Sequence, residues 1–298
     1  MSFLEDTRKV FLSAILAALA YPGLAQMLEW TIMPALVLSM TISLRSLSFR
    51  GLWKRELAAP AIKALALQYI LLTGIILAAA HILLDDSDYI RGFIIMAAVP
   101  PAVSVVPFTY LLRGDSYTST LTEVIAYLLA LALTPSLILL LIGDVMDVSY
   151  LLGLLSVLII LPMALSRILA SIESPAWDYG KSAVNLLFAL ITYVLIGLNH
   201  AAIISDPLSL SPVVAVVFVR TFVPATIVYY IARRLGSGER SITYALFSSY
   251  KNNGAAAVIA LALLTPKSAL PMAFAAIAEP SLIILLQQIT RGNYKRGL

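Results

Sequence analysis

Long apolar stretches recur along almost the whole chain and are separated by short polar connections. Each is about 20 residues long, the length at which an α-helix crosses a hydrocarbon core of about 30 Å. Because lipid offers no partners to open backbone groups, these stretches are predicted to be helices. We place them at roughly 10–27, 30–47, 60–84, 90–112, 117–143, 149–170, 182–204, 212–235, 242–264 and 268–289. The pattern therefore predicts an all-α integral membrane protein with ten transmembrane helices and no soluble domain.

The composition excludes several classes of protein. Hydrophobic residues make up 61% of the 298 residues, charged residues make up 12%, and the mean hydropathy is +0.95. A soluble domain is about half apolar and about a quarter charged, because its surface faces water. Cysteine is absent and the histidines are only His81 and His200, which excludes thiol chemistry and a histidine-built metal centre. We expect no cofactor and no metal ion.

The distribution of charge indicates how the chain lies in the membrane. The net charge is +4, but the basic residues lie in loops of an apolar chain, so they indicate orientation and no nucleic-acid partner. Nearly all loop lysines and arginines fall on the side that holds the N-terminus, whereas the other side carries Arg91, Lys267 and several aspartates. This asymmetry predicts a multi-pass protein of the cell membrane with cytoplasmic N- and C-termini.

A weak internal repeat relates the two halves of the chain. At an offset of 152 residues, Pro100-Pro101 aligns with Asn252-Asn253, Ser116 with Ser268, and Gln68 with Arg220. Each repeat contains an odd number of spans, five, so the second repeat must enter the membrane in the opposite orientation. Two inverted five-helix repeats are the plan of many secondary transporters.

The fourth and ninth spans are predicted to be broken in mid-membrane. The fourth contains AVPPAVSVVP, in which prolines remove backbone donors, and the ninth contains SSYKNNGAA at the equivalent depth. Unwound backbone in lipid is tolerated where it lines a cavity, and the ends of half-helices attract ions. One interpretation is a proline kink and a polar packing patch. The other, favoured by two equivalent breaks, is a substrate site that includes Ser104, Lys251, Asn252 and Asn253.

Four ionisable residues fall inside predicted spans: Glu123, Arg220, Lys251 and Glu279. Each costs at least ~2.5–3.5 kcal/mol at a helix centre, so each should face a partner or a wet cavity. They form either two static ion pairs or, at least in part, a proton or substrate site. Lys251 lies in the predicted break, where an ammonium could hold a carboxylate. Glu123 is the natural proton carrier, because burial favours a protonated carboxyl. Tyrosines within the spans, such as Tyr69 and Tyr127, are expected to serve packing.

Several motifs resemble one known family. The stretch MAAVPPAVSVVPFTYLLRGDSYTSTLTEVIAYLLALALTP, residues 96–135, resembles the fourth and fifth helices of the bile acid:sodium symporter family. LAYPGLAQML in the first span, ALALQY in the third and KNNGAAAVIALAL in the ninth are also similar to the family pattern. The resemblance covers nearly the whole chain in order and spacing.

The resemblance implies a fold of two bundles that move relative to each other. A panel domain would comprise helices 1, 2, 6 and 7, at 1–58 and 149–206. A core domain would comprise helices 3–5 and 8–10, at 59–148 and 207–298, with the broken helices 4 and 9 crossing inside it. Family members move organic anions, such as bile acids or smaller carboxylates, usually with sodium, by alternating access.

The sequence departs from the family at the sodium sites. The family's Ser-Asn pair becomes Val105-Val106, its fifth-helix Thr becomes Glu123, and its ninth-helix Glu becomes Ser248. Asn252 replaces a family Gln, and a family His-Asn pair would fall near Glu279, whereas Asn253 keeps the substrate-contacting Asn. Positions that would carry ion or proton coupling are Gln68, Ser119, Glu123, Arg220, Ser248 and Lys251. We expect degenerate sodium sites in which the charge of Lys251 replaces the cation and pairs with Glu123.

These features predict a secondary transporter for an organic anion, either bile-acid-like or a smaller carboxylate. It would be sodium-independent, either proton-coupled or a facilitator, and its oligomeric state is not specified. A cation/proton antiporter of related architecture is the first alternative, although the chain lacks an intramembrane Asp pair. An integral-membrane enzyme that uses Asp85–Asp88 with a metal is a weaker alternative, because no second acidic motif faces the first. A passive receptor or scaffold is a further alternative.

Overall fold

The computed structural model describes residues 3–45, 54–143 and 147–295, and these residues form helices and connections without a β-strand. The end of the second expected span, residues 46 and 47, lies outside the described residues. The α-helices are α1 Thr7–Ala20, α2 Gly23–Leu28, α3 Ile32–Arg45, α4 Arg55–Ala66, α5 Thr73–Leu83, α6 Ser87–Ala98, α7 Val105–Leu111, α8 Ser116–Ile142, α9 Val148–Leu155, α10 Leu161–Ala170, α11 Gly180–Leu198, α12 His200–Ser205, α13 Ser211–Arg234, α14 Arg240–Phe247, α15 Asn253–Leu263 and α16 Pro266–Lys295.

Seven continuous helical segments of the described chain are long and apolar enough to cross a membrane. They are Gly23–Arg45, Arg55–Leu83, Ser116–Ile142, Ser149–Ala170, Pro175–Leu198, Pro207–Arg234 and Pro266–Thr290. The chain is therefore a multi-pass membrane protein. π-helical turns at Leu67–Leu72 and Ser156–Ile160 join α4 to α5 and α9 to α10, so each pair runs on as one span.

The remaining three expected spans are short or interrupted helices. The first is the 14-residue helix α1, and the fourth and ninth are divided into α6 with α7 and α14 with α15. The expected boundary between the first two spans is wrong. Residues 23–27, assigned to the first span, form α2 and continue into α3, because Pro22 stands between α1 and α2 and lacks the backbone donor of a continuous helix.

The helices pack in two groups. In the first, α1, α2 and α3 contact α11, and α10 contacts α3. In the second, α5 and α8 contact α6, α4 contacts α8, α13 contacts α5, α14 and α16, and α16 contacts α6 and α15. Contacts between the groups include those of α3 with α15 and of α11 with α15 and α16. The interrupted helices thus lie within the second group, with α15 facing the first.

One glycine allows two helices of the second group to touch backbone to backbone. A Cβ atom at Gly92 of α6 would lie 2.1 Å from the carbonyl oxygen of Ser268 in α16, far inside van der Waals contact. Backbone atoms cannot move aside as the end of a flexible side chain can. The position therefore requires glycine because of close packing.

The helix starts of the second group are joined by two ion pairs. Asp115 caps α8 by accepting from the Thr118 amide, and its carboxylate lies 2.9 Å from Nε of Arg240, at the start of α14. Asp86 caps α6 and pairs with Lys267 at the start of α16. Lys267 stands at the 152-residue offset from Asp115, whereas Arg240 stands at that offset from Asp88, two positions after Asp86.

The Asp115 carboxyl has a shifted pKa. Burial opposes the charged form, but hydrogen bonds from Thr118 and Arg240 outweigh burial and hold the pKa of Asp115 below its ordinary value. A carboxyl whose pKa is lower in the folded than in the unfolded protein contributes stability at higher pH. That contribution is complete above the unfolded value of about 3.9 and is lost as the pH falls through the lower folded value.

We expect Gly92→Ala to lower the free energy of unfolding by about 1–3 kcal/mol, because its methyl group would enter the Ser268 backbone. Thermal unfolding of the purified protein in detergent measures this. Gly74→Ala is the matched control, because Gly74 is an exposed glycine of α5 with nothing within 4 Å of its Cβ position. The control should be neutral or stabilising, and equal losses in both variants would contradict the packing argument.

We expect Asp115→Asn to lose up to about 1 kcal/mol of stability at neutral pH and to flatten the decline in stability on acidification. The variant keeps a capping oxygen but removes the charge that pairs with Arg240. Melting temperatures of both proteins from neutral to acidic pH test this. Parallel declines in the native protein and the variant would show that Asp115 is not the responsible carboxyl.

Candidate functional site

The two interruptions meet and are hydrogen-bonded to each other. Residues 99–104 separate α6 from α7, and residues 248–252 separate α14 from α15. At their contact, the backbone N–H of Asn252 donates to the carbonyl of Pro100 over 2.8 Å. The two unwound segments therefore touch at this hydrogen bond, a contact called the crossing below, and each supplies a group that the other's broken helix leaves unpaired.

Lys251 completes the end of α6. Its Nζ atom donates to the carbonyl oxygens of Ala97, at 2.7 Å, and Val99, at 3.2 Å, and to Oγ1 of Thr73, at 3.2 Å. The side chain is fully buried, and the ammonium lies 5.2 Å from the centroid of the Tyr69 ring. The three oxygens match the three donors of an ammonium group, and the C-terminal end of a helix favours a cation.

Asn252 ties the crossing to α8. Its Oδ1 accepts from the Ala255 amide and so caps α15, while its Nδ2 donates to the Tyr127 hydroxyl over 3.0 Å. That hydroxyl donates in turn to the carbonyl of Pro101 over 3.2 Å. Nδ2 also lies 3.7 Å from Sδ of Met40 in α3. Asn252 thus contacts both groups of helices.

A second buried cation, Arg220, contacts the second interruption. Nη1 of Arg220 donates to the Ser249 carbonyl at 2.7 Å and to Oε1 of Glu279 at 2.9 Å. Nη2 donates to Oδ1 of Asn253 at 3.3 Å. The Tyr250 hydroxyl donates to the backbone carbonyl of Glu279. Arg220, Asn253 and Glu279, expected from sequence as site residues, therefore form one cluster.

The expected pairing of Lys251 with Glu123 is wrong. Lys251 instead donates to the end of α6, and neither carboxylate oxygen of Glu123 has a hydrogen-bond partner among the described residues. Glu123 is only 1% exposed. Of the two buried ion pairs that the four membrane charges could form, the structure contains Arg220 with Glu279.

The other predicted site residues are placed as follows. In the orientation that satisfies its neighbours, the Gln68 amide donates to the carbonyls of Phe247, at 2.6 Å, and Tyr250, at 3.2 Å. Ser119 accepts from the Thr109 hydroxyl over 3.0 Å. Ser248 donates to the Ala245 carbonyl of its own helix over 2.8 Å. Ser104 precedes α7 and is half-buried, without a side-chain cap bond.

Sequence reasoning missed the acceptors around Lys251 and the role of two tyrosines. The Ala97 and Val99 carbonyls carry no side-chain signal, and Thr73 lies in an apolar helix. Tyr69 and Tyr127 were expected only to pack, yet Tyr127 hydrogen-bonds across the crossing and Tyr69 donates to the Ala126 carbonyl at 2.8 Å. The available sequence signal was that Tyr69 and Tyr127 each carry a hydroxyl group within an apolar span.

The sequence pattern of the sodium bile acid symporter family matches residues 30–206, more than half of the chain. The chain belongs to the sodium bile acid symporter family. No curated protein matches the chain. Membership in this family, together with the membrane-spanning helices, makes the protein a membrane transporter.

The family match covers only part of the candidate site. It contains Gln68, Ser104, Ser119 and Glu123, whereas Arg220 and the second interruption come after residue 206. Among the matched residues, Val105 and Val106 begin α7 with buried hydrocarbon side chains. In this member of the family, the side-chain nitrogen of Lys251 contacts two backbone carbonyls and a threonine hydroxyl.

We expect Glu279→Gln to lower the free energy of unfolding by about 3–5 kcal/mol, because it leaves the Arg220 charge buried without its counter-charge. Thermal unfolding in detergent measures the loss. The double variant Arg220→Met with Glu279→Leu removes both charges and should recover most of the stability. A double variant no more stable than Glu279→Gln would contradict this account of the pair.

Proposed function

We propose that the protein is a secondary transporter that moves an organic anion, either bile-acid-like or a smaller carboxylate, across the cell membrane by alternating access, without sodium. In this proposal the helices form ten spans in two inverted repeats, with both termini cytoplasmic. A panel of α1–α3 and α9–α12 would move against a core of α4–α8 and α13–α16. The separate packing of these two groups supports the division. The recurrence of α6, α7 and α8 as α14, α15 and α16 at the 152-residue offset supports the repeat.

The observation that carries sodium independence is the position of the Lys251 ammonium. Two backbone carbonyls and a hydroxyl surround it, and oxygens of this kind are the ligands that a hard cation such as sodium takes. A cation fixed to the chain in this position would permanently supply the positive charge that a bound sodium ion would otherwise provide. Positions 105 and 106, where the family carries sodium-site side chains, hold buried valines, and the serine at position 248 donates its hydroxyl to the Ala245 carbonyl.

The anion would bind where the core faces the panel beside the crossing. Asn252 and Asn253 are amides at the start of α15, and a helix N-terminus favours negative charge. The panel contributes hydrocarbon there, since Leu36 lies against Gly254 and Met40 against Asn252. Amide donors opposite apolar side chains suit a carboxylate on a hydrocarbon body.

The alternatives have less support. Cation/proton exchange would need a second free acid near Glu123, but Glu279 is already paired with Arg220. A metal-dependent enzyme would need Asp86 free, but Asp86 caps α6 and pairs with Lys267. The described residues contain no group of three or more His, Cys, Asp or Glu placed to hold a metal ion.

We expect uptake of radiolabelled organic anions into proteoliposomes to be equal with sodium and with choline as the external cation. Cholate and pyruvate are suitable probes of large and small carboxylates. Liposomes without protein give the background, and vesicles containing a sodium-dependent carrier of known activity confirm the sodium gradient. Uptake that requires the sodium gradient would contradict the proposal.

We expect Lys251→Ala to reduce sodium-free uptake by about 10–100-fold, the effect of losing a buried charge-assisted hydrogen bond. The vacated carbonyls should then accept sodium, so part of the activity should return when sodium is added. Lys267→Ala is the control, because it removes a lysine at the membrane surface. Unchanged sodium-free uptake in Lys251→Ala would remove the ammonium from the mechanism.

A further inference from the structure

Glu123 is an acid that the fold buries without providing a partner. It lies in α8, is 1% exposed, and both of its carboxylate oxygens lack hydrogen-bond partners among the described residues. Buried carboxylates are otherwise paired, as Glu279 is with Arg220. The polar side chains of the same helix also have partners, since Thr118, Ser119, Thr120 and Thr122 all form hydrogen bonds.

The charged groups of the surrounding helices are engaged elsewhere or lie at the helix ends. The phenols Tyr69 and Tyr127 are titratable groups close enough to Glu123 to be affected by a charge on it. Lys251 is bound to the end of α6, and Arg240 of α14 is paired with Asp115, eight positions before Glu123. Lys63 of α4 is exposed, and Arg91 lies in the first turns of α6. No described cation therefore compensates a negative charge on Glu123.

A carboxyl in such surroundings takes a proton rather than remain charged. Desolvation of an isolated carboxylate is opposed by no attraction here, so the neutral acid is the stable form of this state. The site is also connected to the crossing. Tyr127 lies one helical turn after Glu123, on the same face of α8, and its hydroxyl is hydrogen-bonded to Pro101 and Asn252.

We propose that Glu123 is the proton-binding site of the transporter. In the state described here the carboxyl holds a proton away from water, and it exchanges with water only when the crossing rearranges against the panel. A proton from water on one side adds to the carboxylate to form the acid. After the rearrangement the acid returns that proton to water on the other side. One proton travelling with a monovalent organic anion makes the cycle electrically neutral.

This inference rests on the proposed function for its role in transport but not for the proton itself. Infrared spectroscopy of the purified full-length protein, without substrate, tests the proton directly. At neutral pH the native protein should show the carbonyl band of a protonated carboxylic acid, and this band should shift in deuterium oxide. Glu123→Gln should abolish it, whereas Glu56→Gln, the same change at an exposed residue, should leave it.

Each outcome of the spectroscopy decides the question. A band present in the native protein and missing in Glu123→Gln supports the site. A native spectrum without the band at neutral pH overturns it, as does a band that vanishes on adding sodium, which would make Glu123 a cation ligand. If Glu123→Gln does not fold, Glu123→Asp replaces it and should keep an acid band at a changed position.

Transport by proteoliposomes tests the coupling. With a pH-sensitive dye inside, cholate uptake by the native protein should acidify the lumen, and Glu123→Gln should lose both the acidification and accumulation driven by an acidic exterior. Exchange of internal for external cholate should survive in that variant, because it needs no net proton movement. Acidification that persists in Glu123→Gln overturns the coupling role. An infrared band without any organic-anion uptake would contradict the proposed function but not the proton site.

Discussion

The structure depends on pairing the backbone groups of two helices that are broken inside a membrane. Where α6 and α14 end, their last carbonyl groups have no partner within their own helices. One Asn252 N–H and two buried cations supply these partners: Lys251 binds the end of α6, and Arg220 binds the Ser249 carbonyl. The interruptions are stable because these charges lie against them, and the charges are tolerated in the membrane because the interruptions present oxygens.

In the proposed sodium-independent transporter, Lys251 takes the place that a bound cation would otherwise hold. An alkali ion at the end of a helix can leave, whereas an ammonium on a side chain stays. Arg220 carries its own counter-ion, Glu279, so one side of the crossing is neutral, while Lys251 faces only neutral oxygens. The remaining acid, Glu123, is one turn from the tyrosine that joins the two interruptions. In that proposal the cation belongs to the chain and cannot move with a gradient, so the Glu123 carboxyl would bind the coupling ion, a proton.

Much of the architecture follows from hydropathy and proline positions, because both act locally. The apolar stretches give the helices, and Pro100, Pro101 and the KNNG stretch give the two interruptions. The partners of the buried charges in the site could not be predicted from hydropathy and proline positions. Lysine is long and flexible, so its position in the chain fixes where its Cα lies but not which oxygens it reaches. The acceptors that Lys251 reaches are the backbone carbonyls of Ala97 and Val99. Because every residue has a carbonyl, the sequence does not mark these two. The Arg220–Glu279 pair depends on how α13 and α16 pack, a contact between segments 59 residues apart.

In both surface ion pairs the first half of the chain supplies the acid and the second half supplies the base. Asp115 meets Arg240 at one pair of helix starts, and Lys267 meets Asp86 at the other. If two copies of the first half of the chain docked together, they would bring aspartate against aspartate. Two copies of the second half would bring lysine against arginine. Charge at these helix starts therefore favours contact between unlike halves over contact between like halves.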